Sequence, residues 1–180
     1  MIHRIIDWSK KEYPLTTRIG GTLLAGLFFI ILLPTGLVYF GSALDRSFSC
    51  GIYGLGKWPL VVGIPVMSLG GVFAIWSIVA QILNAGGTPL PMMATQELLV
   101  SGPFKLCRNP MTFGTILLYL GIGIIAVSPG TLAIVLVLSG LLLLYIKRIE
   151  EVELEARFGE AYRVYKERTP FLVPHTIKDL

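Results

Sequence analysis

The stretch MTFGTILLYLGIGIIAVSPGTLAIVLVLSGLLLLYI, Met111 to Ile146, contains no charged residue over 36 positions. A helix needs roughly 20 apolar residues to cross a bilayer, so the stretch is long enough for two crossings. Ser128-Pro129-Gly130 lies near its middle, where proline and glycine indicate a turn. The stretch therefore predicts a helical hairpin in a membrane, with the arms Met111–Val127 and Thr131–Ile146. We expect the second arm to continue unbroken into the charged helix 147–168.

Two further uncharged runs precede the hairpin, Ile19–Phe40 with 22 residues and Trp58–Leu83 with 26. Only 14% of the chain is charged, whereas soluble domains carry about 25%. The sequence thus predicts an all-α, polytopic integral membrane protein with about four transmembrane helices and a cytoplasmic helical extension after the hairpin. Pro34 could break the first run and give five elements. Met1–Tyr13 is expected to form a short helix in the membrane interface.

Basic residues in short loops indicate the orientation of the chain, because they are retained on the cytoplasmic side. Four precede the first run, two lie in the loop before the second run (Arg46 and Lys57), two lie in the segment Ser101–Pro110, seven follow Ile146, and the turn at Ser128–Gly130 has none. Both termini and the segment Ser101–Pro110 are therefore expected in the cytoplasm. The net charge of +4 then reflects topology and some attraction to anionic headgroups, and it does not indicate a nucleic-acid partner.

The few cysteine and histidine residues do not predict a metal site. Cys50 falls in the predicted outer loop and Cys107 on the cytoplasmic side, so the two are not expected to pair. His3 and His175 lie at opposite ends of the chain. None of the four has the spacing of metal ligands.

A polar segment before the hairpin, Asn84–Pro110, is the first candidate for a site. It contains three glycines and four prolines, so it cannot be one continuous helix. Asn109 followed by Pro110 predicts a helix start. This pair either caps the third span and does no more, or leaves the N–H groups of Met111, Thr112 and Phe113 free to bind an anion beside Arg108.

The second candidate is a group of glutamates directly after the last span, namely Glu150, Glu151, Glu153 and Glu155. They could form the solvated face of a helix, with Lys147 and Glu151 paired one turn apart. Alternatively, an ionised carboxylate offers only acceptors, so it suits ribose hydroxyls or a cationic ligand. An anion site on one element and a carboxylate on the next would match a zwitterionic molecule that carries a ribose.

The segments LLVSGPFKLCRNPMTFG (98–114) and RIEEVELEARFGEAYRVYKERTPFLVP (148–174), separated by a hairpin, resemble the isoprenylcysteine carboxyl methyltransferase family and its prokaryotic relatives. The membrane phospholipid N-methyltransferases belong to the same broad group. The resemblance implies S-adenosyl-L-methionine as cofactor and a lipophilic or prenylated acceptor that enters from the bilayer. The acceptor group is left open among a carboxylate, an amine and a thiol, as is the oligomeric state.

The resemblance also implies roles for individual residues. It divides the chain into N-terminal membrane helices, 1–85, and a cofactor-binding and catalytic region, 86–180. Arg148 and Glu151 are expected at the catalytic, substrate-facing end. The residues expected to bind the cofactor are Gln96, Glu97, Leu98, Leu99, Phe104, Asn109, Pro110, Met111, Thr112 and Glu150.

Three positions depart from the family pattern. Asn109 stands where many members have a histidine, so this position cannot titrate. Thr112 stands where a tyrosine is common. A family arginine falls on Ile146, so that Lys147 or Arg148 would have to replace it.

Two other functions compete with methyl transfer. Sterol and steroid reductases that use NADPH have a similar motif and hairpin, but a 2′-phosphate would need more cations than Lys105 and Arg108 in the loop. A non-enzymatic membrane module, such as a transport subunit, would be expected to carry ionisable residues inside its spans. The three uncharged runs contain none.

Overall fold

A computed structural model describes residues 14–49, 54–86, 88 and 95–175, and all regular structure within these ranges is helical. The predicted all-α membrane fold is therefore confirmed. The expected interfacial helix Met1–Tyr13 and Cys50 lie outside the described residues. Within the described residues, three helices are long and apolar enough to cross a membrane, namely Leu15–Phe48, Trp58–Asn84 and Pro129–Phe158.

The first apolar run forms one continuous helix and not a broken pair. It consists of α1 (Leu15–Leu27), a π-helical turn (Phe28–Leu32) and α2 (Leu33–Phe48). Pro34 has no N–H to give to the carbonyl four residues earlier, so an ordinary α-helical turn would be strained there. The π turn ends two residues before the proline, and the Thr35 hydroxyl donates to the Ile31 carbonyl oxygen at 2.6 Å.

The helix α3 (Trp58–Asn84) is followed by a short 3-10 turn (Gly102–Lys105) and the predicted hairpin, α4 (Pro110–Ile125) and α5 (Pro129–Tyr145). The 16 residues of α4 span only ~24 Å. As expected, α5 continues through a π turn (Ile146–Glu150) into α6 (Glu151–Phe158). The predicted single extension is nevertheless divided, because Gly159 has φ 55° and ψ −128° and separates α6 from α7 (Glu160–Arg168).

Close glycine contacts pack α3 against α4. On each helix two glycines stand seven residues apart, Gly63 and Gly70 on α3 and Gly114 and Gly121 on α4. A Cβ at Gly70 would lie 2.5 Å from the Gly114 carbonyl oxygen, and one at Gly114 would lie 2.6 Å from the Gly70 carbonyl oxygen. Small residues allow membrane helices to approach this closely and to gain van der Waals contact. The contact fixes where α4 begins relative to the end of α3.

The turn of the hairpin is held by α2. Asp45 accepts hydrogen bonds from the Ser128 hydroxyl at 2.5 Å and from the Gly130 N–H at 2.6 Å, so its carboxylate lies at the N-terminus of α5. Ser128 also caps this helix by accepting from the Thr131 N–H. Ser128 and Thr131 are buried. These contacts attach the N-terminal helix to the end of the hairpin opposite to the start of α4.

Candidate functional site

An ion pair joins the residues just before α4 to the first residue of α6. The guanidinium of Arg108 donates to Oε1 of Glu151, while the ammonium of Lys166 lies 3.2 Å from Oε2 of the same carboxylate. Only 4% of the Glu151 side chain is exposed. Among the described residues the expected pair of Lys147 with Glu151 is not formed, because the two carboxylate oxygens of Glu151 face Arg108 and Lys166 and Lys147 lies exposed. Glu151 is thus enclosed by two positive charges.

The last described segment, Thr169–His175, lies along residues 106–109, and we term it the C-terminal strap. The N–H of Arg108 donates to the Pro170 carbonyl at 2.8 Å, and the N–H of His175 donates to the Leu106 carbonyl at 3.0 Å. Nε of Arg108 donates to the Thr169 carbonyl at 3.1 Å, and its guanidinium stands 5.5 Å from the ring centroid of Phe171. Arg108 is therefore committed to Glu151 and the strap, and it is not a free cation beside α4.

The helix α4 begins at Pro110, as the sequence predicts, but Asn109 does not cap it through its side chain. Its Nδ2 donates instead to the Phe171 carbonyl oxygen at 2.9 Å. The Phe113 N–H bonds normally to the Asn109 carbonyl, so this predicted free donor is already used. Among the described residues no acceptor meets the N–H of Met111 or of Thr112. These two donors keep the positive end of the helix available to an anion.

Glu150 differs from its neighbour Glu151. It is half-buried at the end of the π turn, and in the part of the chain that the structure describes no side chain or N–H donates to its carboxylate. Arg148, two residues earlier, is exposed. A π turn adds a residue to the helical repeat and is often found at functional sites. Here Glu150, the last residue of the turn, has no donor among the described residues, whereas Glu151, directly after the turn, holds Arg108.

The predicted segment Gln96–Leu99 begins beside the end of α3, where Gln96 and Glu97 lie. The Gln96 N–H donates to the Ala85 carbonyl at 2.7 Å, and Nη2 of Arg157 donates to the Thr95 carbonyl at 2.5 Å. An open cleft of about 350 Å³ lies here, lined by Arg18, Leu83, Asn84, Ala85, Gly86, Gln96 and Glu97. The contacts of Arg18 and Arg157 could not be predicted from the sequence, because both arginines lie far along the chain from this loop.

Two tyrosines of α7 complete the packing around the site. The Tyr165 hydroxyl donates to the Phe104 carbonyl at 2.6 Å, and burial raises the pKa of Tyr165 above its usual range. Burial, aided by the negative charge of Glu151, raises the pKa of Tyr162 to about 12. Tyr162 and Tyr165 are both buried, and their three-residue spacing on one helix face was the available indication in the sequence. Both remain neutral hydroxyls at physiological pH.

Cys107 belongs to the segment 106–109, along which the C-terminal strap lies. Its side chain is fully buried, and burial raises the pKa of the thiol to about 11. The thiol is consequently a packing group and not a nucleophile. No group of three or more His, Cys, Asp or Glu side chains that could hold a metal ion occurs within residues 14–49, 54–86, 88 and 95–175.

The structure thus brings together the start of α4, the start of α6 and the strap. Arg108 contacts Glu151, 43 positions away, and Arg108 and Asn109 contact strap residues 61 and 62 positions away. Phe104 joins this group through Tyr165, whereas Gln96 and Glu97 line the cleft at the end of α3.

Comparison with known proteins gives a family match, in which the phospholipid methyltransferase model covers residues 58–161. No curated protein and no solved structure matches the chain.

Proposed function

Because the chain belongs to the phospholipid methyltransferase family and is accordingly a membrane methyltransferase, we propose that S-adenosyl-L-methionine is its methyl donor and a lipophilic molecule its acceptor. We place the reaction at the cytoplasmic boundary of the membrane. The match covers more than half of the chain, from the start of α3 into α7, and so includes the Arg108–Glu151 pair. The same membership weighs against the NADPH-dependent reductase and the non-enzymatic module.

The observation that carries the cofactor assignment is the half-buried carboxylate of Glu150, which has no donor among the described residues. When bound, S-adenosylmethionine brings a methyl group on a sulfonium, a ribose with two hydroxyl donors and an amino acid end. The Glu150 carboxylate supplies acceptors for the hydroxyls. The N–H groups of Met111 and Thr112 supply donors for the carboxylate of the amino acid end.

In this proposal the neighbouring residues hold the Glu150 carboxylate and the N–H groups of Met111 and Thr112 in place and help to exclude water from them. Glu151 neutralises Arg108 and, with Lys166, ties the start of α6 to α4 and α7. Methyl transfer from a sulfonium needs no covalent enzyme intermediate, so alignment of the reactants supplies much of the rate enhancement. Exclusion of water also favours the reaction, because charge disperses in the transition state. In this proposal Glu151 is a positioning residue, and Arg148, exposed on the π turn, meets the acceptor.

The cofactor assignment is tested by calorimetry on the detergent-purified protein with S-adenosylmethionine, S-adenosylhomocysteine and NADPH. We expect saturable binding of both adenosyl compounds and none of NADPH. Binding of NADPH alone would overturn the assignment in favour of a reductase.

The acceptor is tested separately, by incubating the protein in phospholipid vesicles with S-adenosylmethionine labelled in its methyl group. We expect label in the organic extract that contains the lipids. Label confined to the aqueous phase, with the cofactor consumed, would contradict a lipophilic acceptor while leaving the methyltransferase assignment intact.

A further inference from the structure

The amide of Asn109 is used in a way that neither its position nor its residue type predicts. Asn is a preferred N-cap residue, and Asn109 stands at the N-cap of α4. Its side chain nevertheless turns away from the helix and donates to the Phe171 carbonyl at 2.9 Å. The capping donors Met111 N–H and Thr112 N–H are left without an acceptor among the described residues.

We infer that Asn109 is a positioning residue: its amide fastens the C-terminal strap onto the start of α4 and thereby orders the proposed cofactor site without contacting the cofactor. The inference rests on the proposed function for the identity of that ligand. Among the described residues, the other hydrogen bonds between the strap and residues 106–108 run through main-chain groups and through the Arg108 side chain. Because Arg108 is also paired with Glu151, the Asn109 bond is the strap contact that can be removed without breaking the ion pair.

The residue type matters because this bond needs a donor. An aspartate has nearly the same shape, but its carboxylate cannot donate to the Phe171 carbonyl and would be repelled by it. The same carboxylate would accept from the N–H groups of Met111 and Thr112, which would then no longer be free for an anion. An alanine only removes the bond and leaves these N–H groups free. The two substitutions therefore separate fastening of the strap from occupation of the helix end.

The fastening is tested by hydrogen exchange of the detergent-purified Asn109→Ala protein without any cofactor. The reporters are the N–H groups of Arg108 and His175, which donate to Pro170 and Leu106 across the strap. Loss of one hydrogen bond should speed exchange of both by roughly two- to tenfold. The exposed Lys105→Ala is the matched control and should exchange like the wild type. Unchanged exchange in Asn109→Ala would overturn the inference. If that variant does not fold, Asn109→Asp must show the faster exchange instead.

The link to the site is tested by calorimetry with S-adenosylhomocysteine. Asn109→Ala should weaken binding by roughly two- to tenfold, and Asn109→Asp should weaken it further because it also occupies the helix end. Faster exchange with wild-type affinity in Asn109→Ala would overturn the positioning role. A wild-type protein that binds no adenosyl compound would instead refute the proposed function, and the exchange result would still decide whether Asn109 fastens the strap.

Discussion

Glu150 and Glu151 are adjacent in the sequence but have different surroundings in the structure. Glu151 is buried between the guanidinium of Arg108 and the ammonium of Lys166, whereas Glu150 has no donor among the described residues. A buried ion pair contributes little beyond an apolar pair of the same shape, but removal of one partner leaves the other charge buried and unpaired. The two carboxylates should therefore respond differently to the same substitution.

Glu151→Gln should destabilise the protein, because Arg108 would keep its burial and lose its counter-charge. Breaking a buried pair in this way typically costs about 3–5 kcal/mol. We expect a clearly lower Tm in detergent by fluorescence-detected unfolding. Glu160→Gln is the control, since the Glu160 side chain is 78% exposed and its pair with Arg163 is a surface contact. Equal Tm values for the two variants would contradict a structural role for the Arg108–Glu151 pair.

The start of α4 shows what the sequence could predict at this scale. Asn109-Pro110 correctly located the helix start, because proline fits the first turn and asparagine favours the cap. The partners of Arg108 and Asn109 could not be predicted, since Thr169 and Phe171 lie about sixty residues further along and approach only after the chain has folded. The side-chain cap expected for Asn109 was wrong for the same reason.

At the scale of helices, the packing of α3 against α4 depends on close contacts between glycines. The sequence contains these glycines, but its composition does not indicate that they meet. Gly70→Ala would place a Cβ 2.5 Å from the Gly114 carbonyl oxygen, so the two backbones would have to separate. Overpacking of this kind typically costs about 1–3 kcal/mol and occasionally more. We expect a lower Tm and a lower yield of monodisperse protein in detergent.

Gly71→Ala is the matched control on the same helix. Its Cβ would meet only Cδ1 of Leu118 at 3.7 Å, an ordinary contact. Alanine also favours the helix over glycine by up to about 1 kcal/mol. We expect a Tm equal to or above that of the wild type. If both variants melt like the wild type, close backbone packing does not hold α3 to α4.

The course of the helices was predictable to different degrees. The charge-free runs correctly located the long helices, because a membrane span has to be apolar over its length. Whether Pro34 breaks the first helix was open, since a π turn can absorb a proline and leaves no clear mark in the sequence. The division at Gly159 was missed because a single glycine does not always end a helix.

For the whole molecule, the contacts place two groups at opposite ends of the hairpin. Asp45, Ser128 and Gly130 lie at its turn, and Arg108, Asn109 and the strap lie at the start of α4. The basic residues predict that the second end faces the cytoplasm. Cys107 cannot report this orientation, because its thiol is fully buried.

The orientation is tested with the exposed residues Lys57 and Lys105, each replaced by cysteine in a chain that carries Cys50→Ser. A membrane-impermeant thiol reagent applied to intact cells should modify Lys57→Cys at the start of α3. Lys105→Cys, next to α4, should react only after the cells are permeabilised. The reverse pattern would place the site outside the cytoplasm.

The proposed function depends most on Glu150 as a ligand of S-adenosylmethionine, and calorimetry with S-adenosylhomocysteine tests this role directly. Glu150→Gln keeps the size of the side chain but loses the charge-assisted hydrogen bonds, each worth ~1.5–3 kcal/mol. Glu167→Gln is the control, because Glu167 is exposed, whereas Glu155 pairs with Arg163 at 2.8 Å. We predict that Glu150→Gln binds roughly ten- to a hundredfold more weakly while Glu167→Gln binds like the wild type. Equal affinities in the two variants, at matched Tm, would contradict the account.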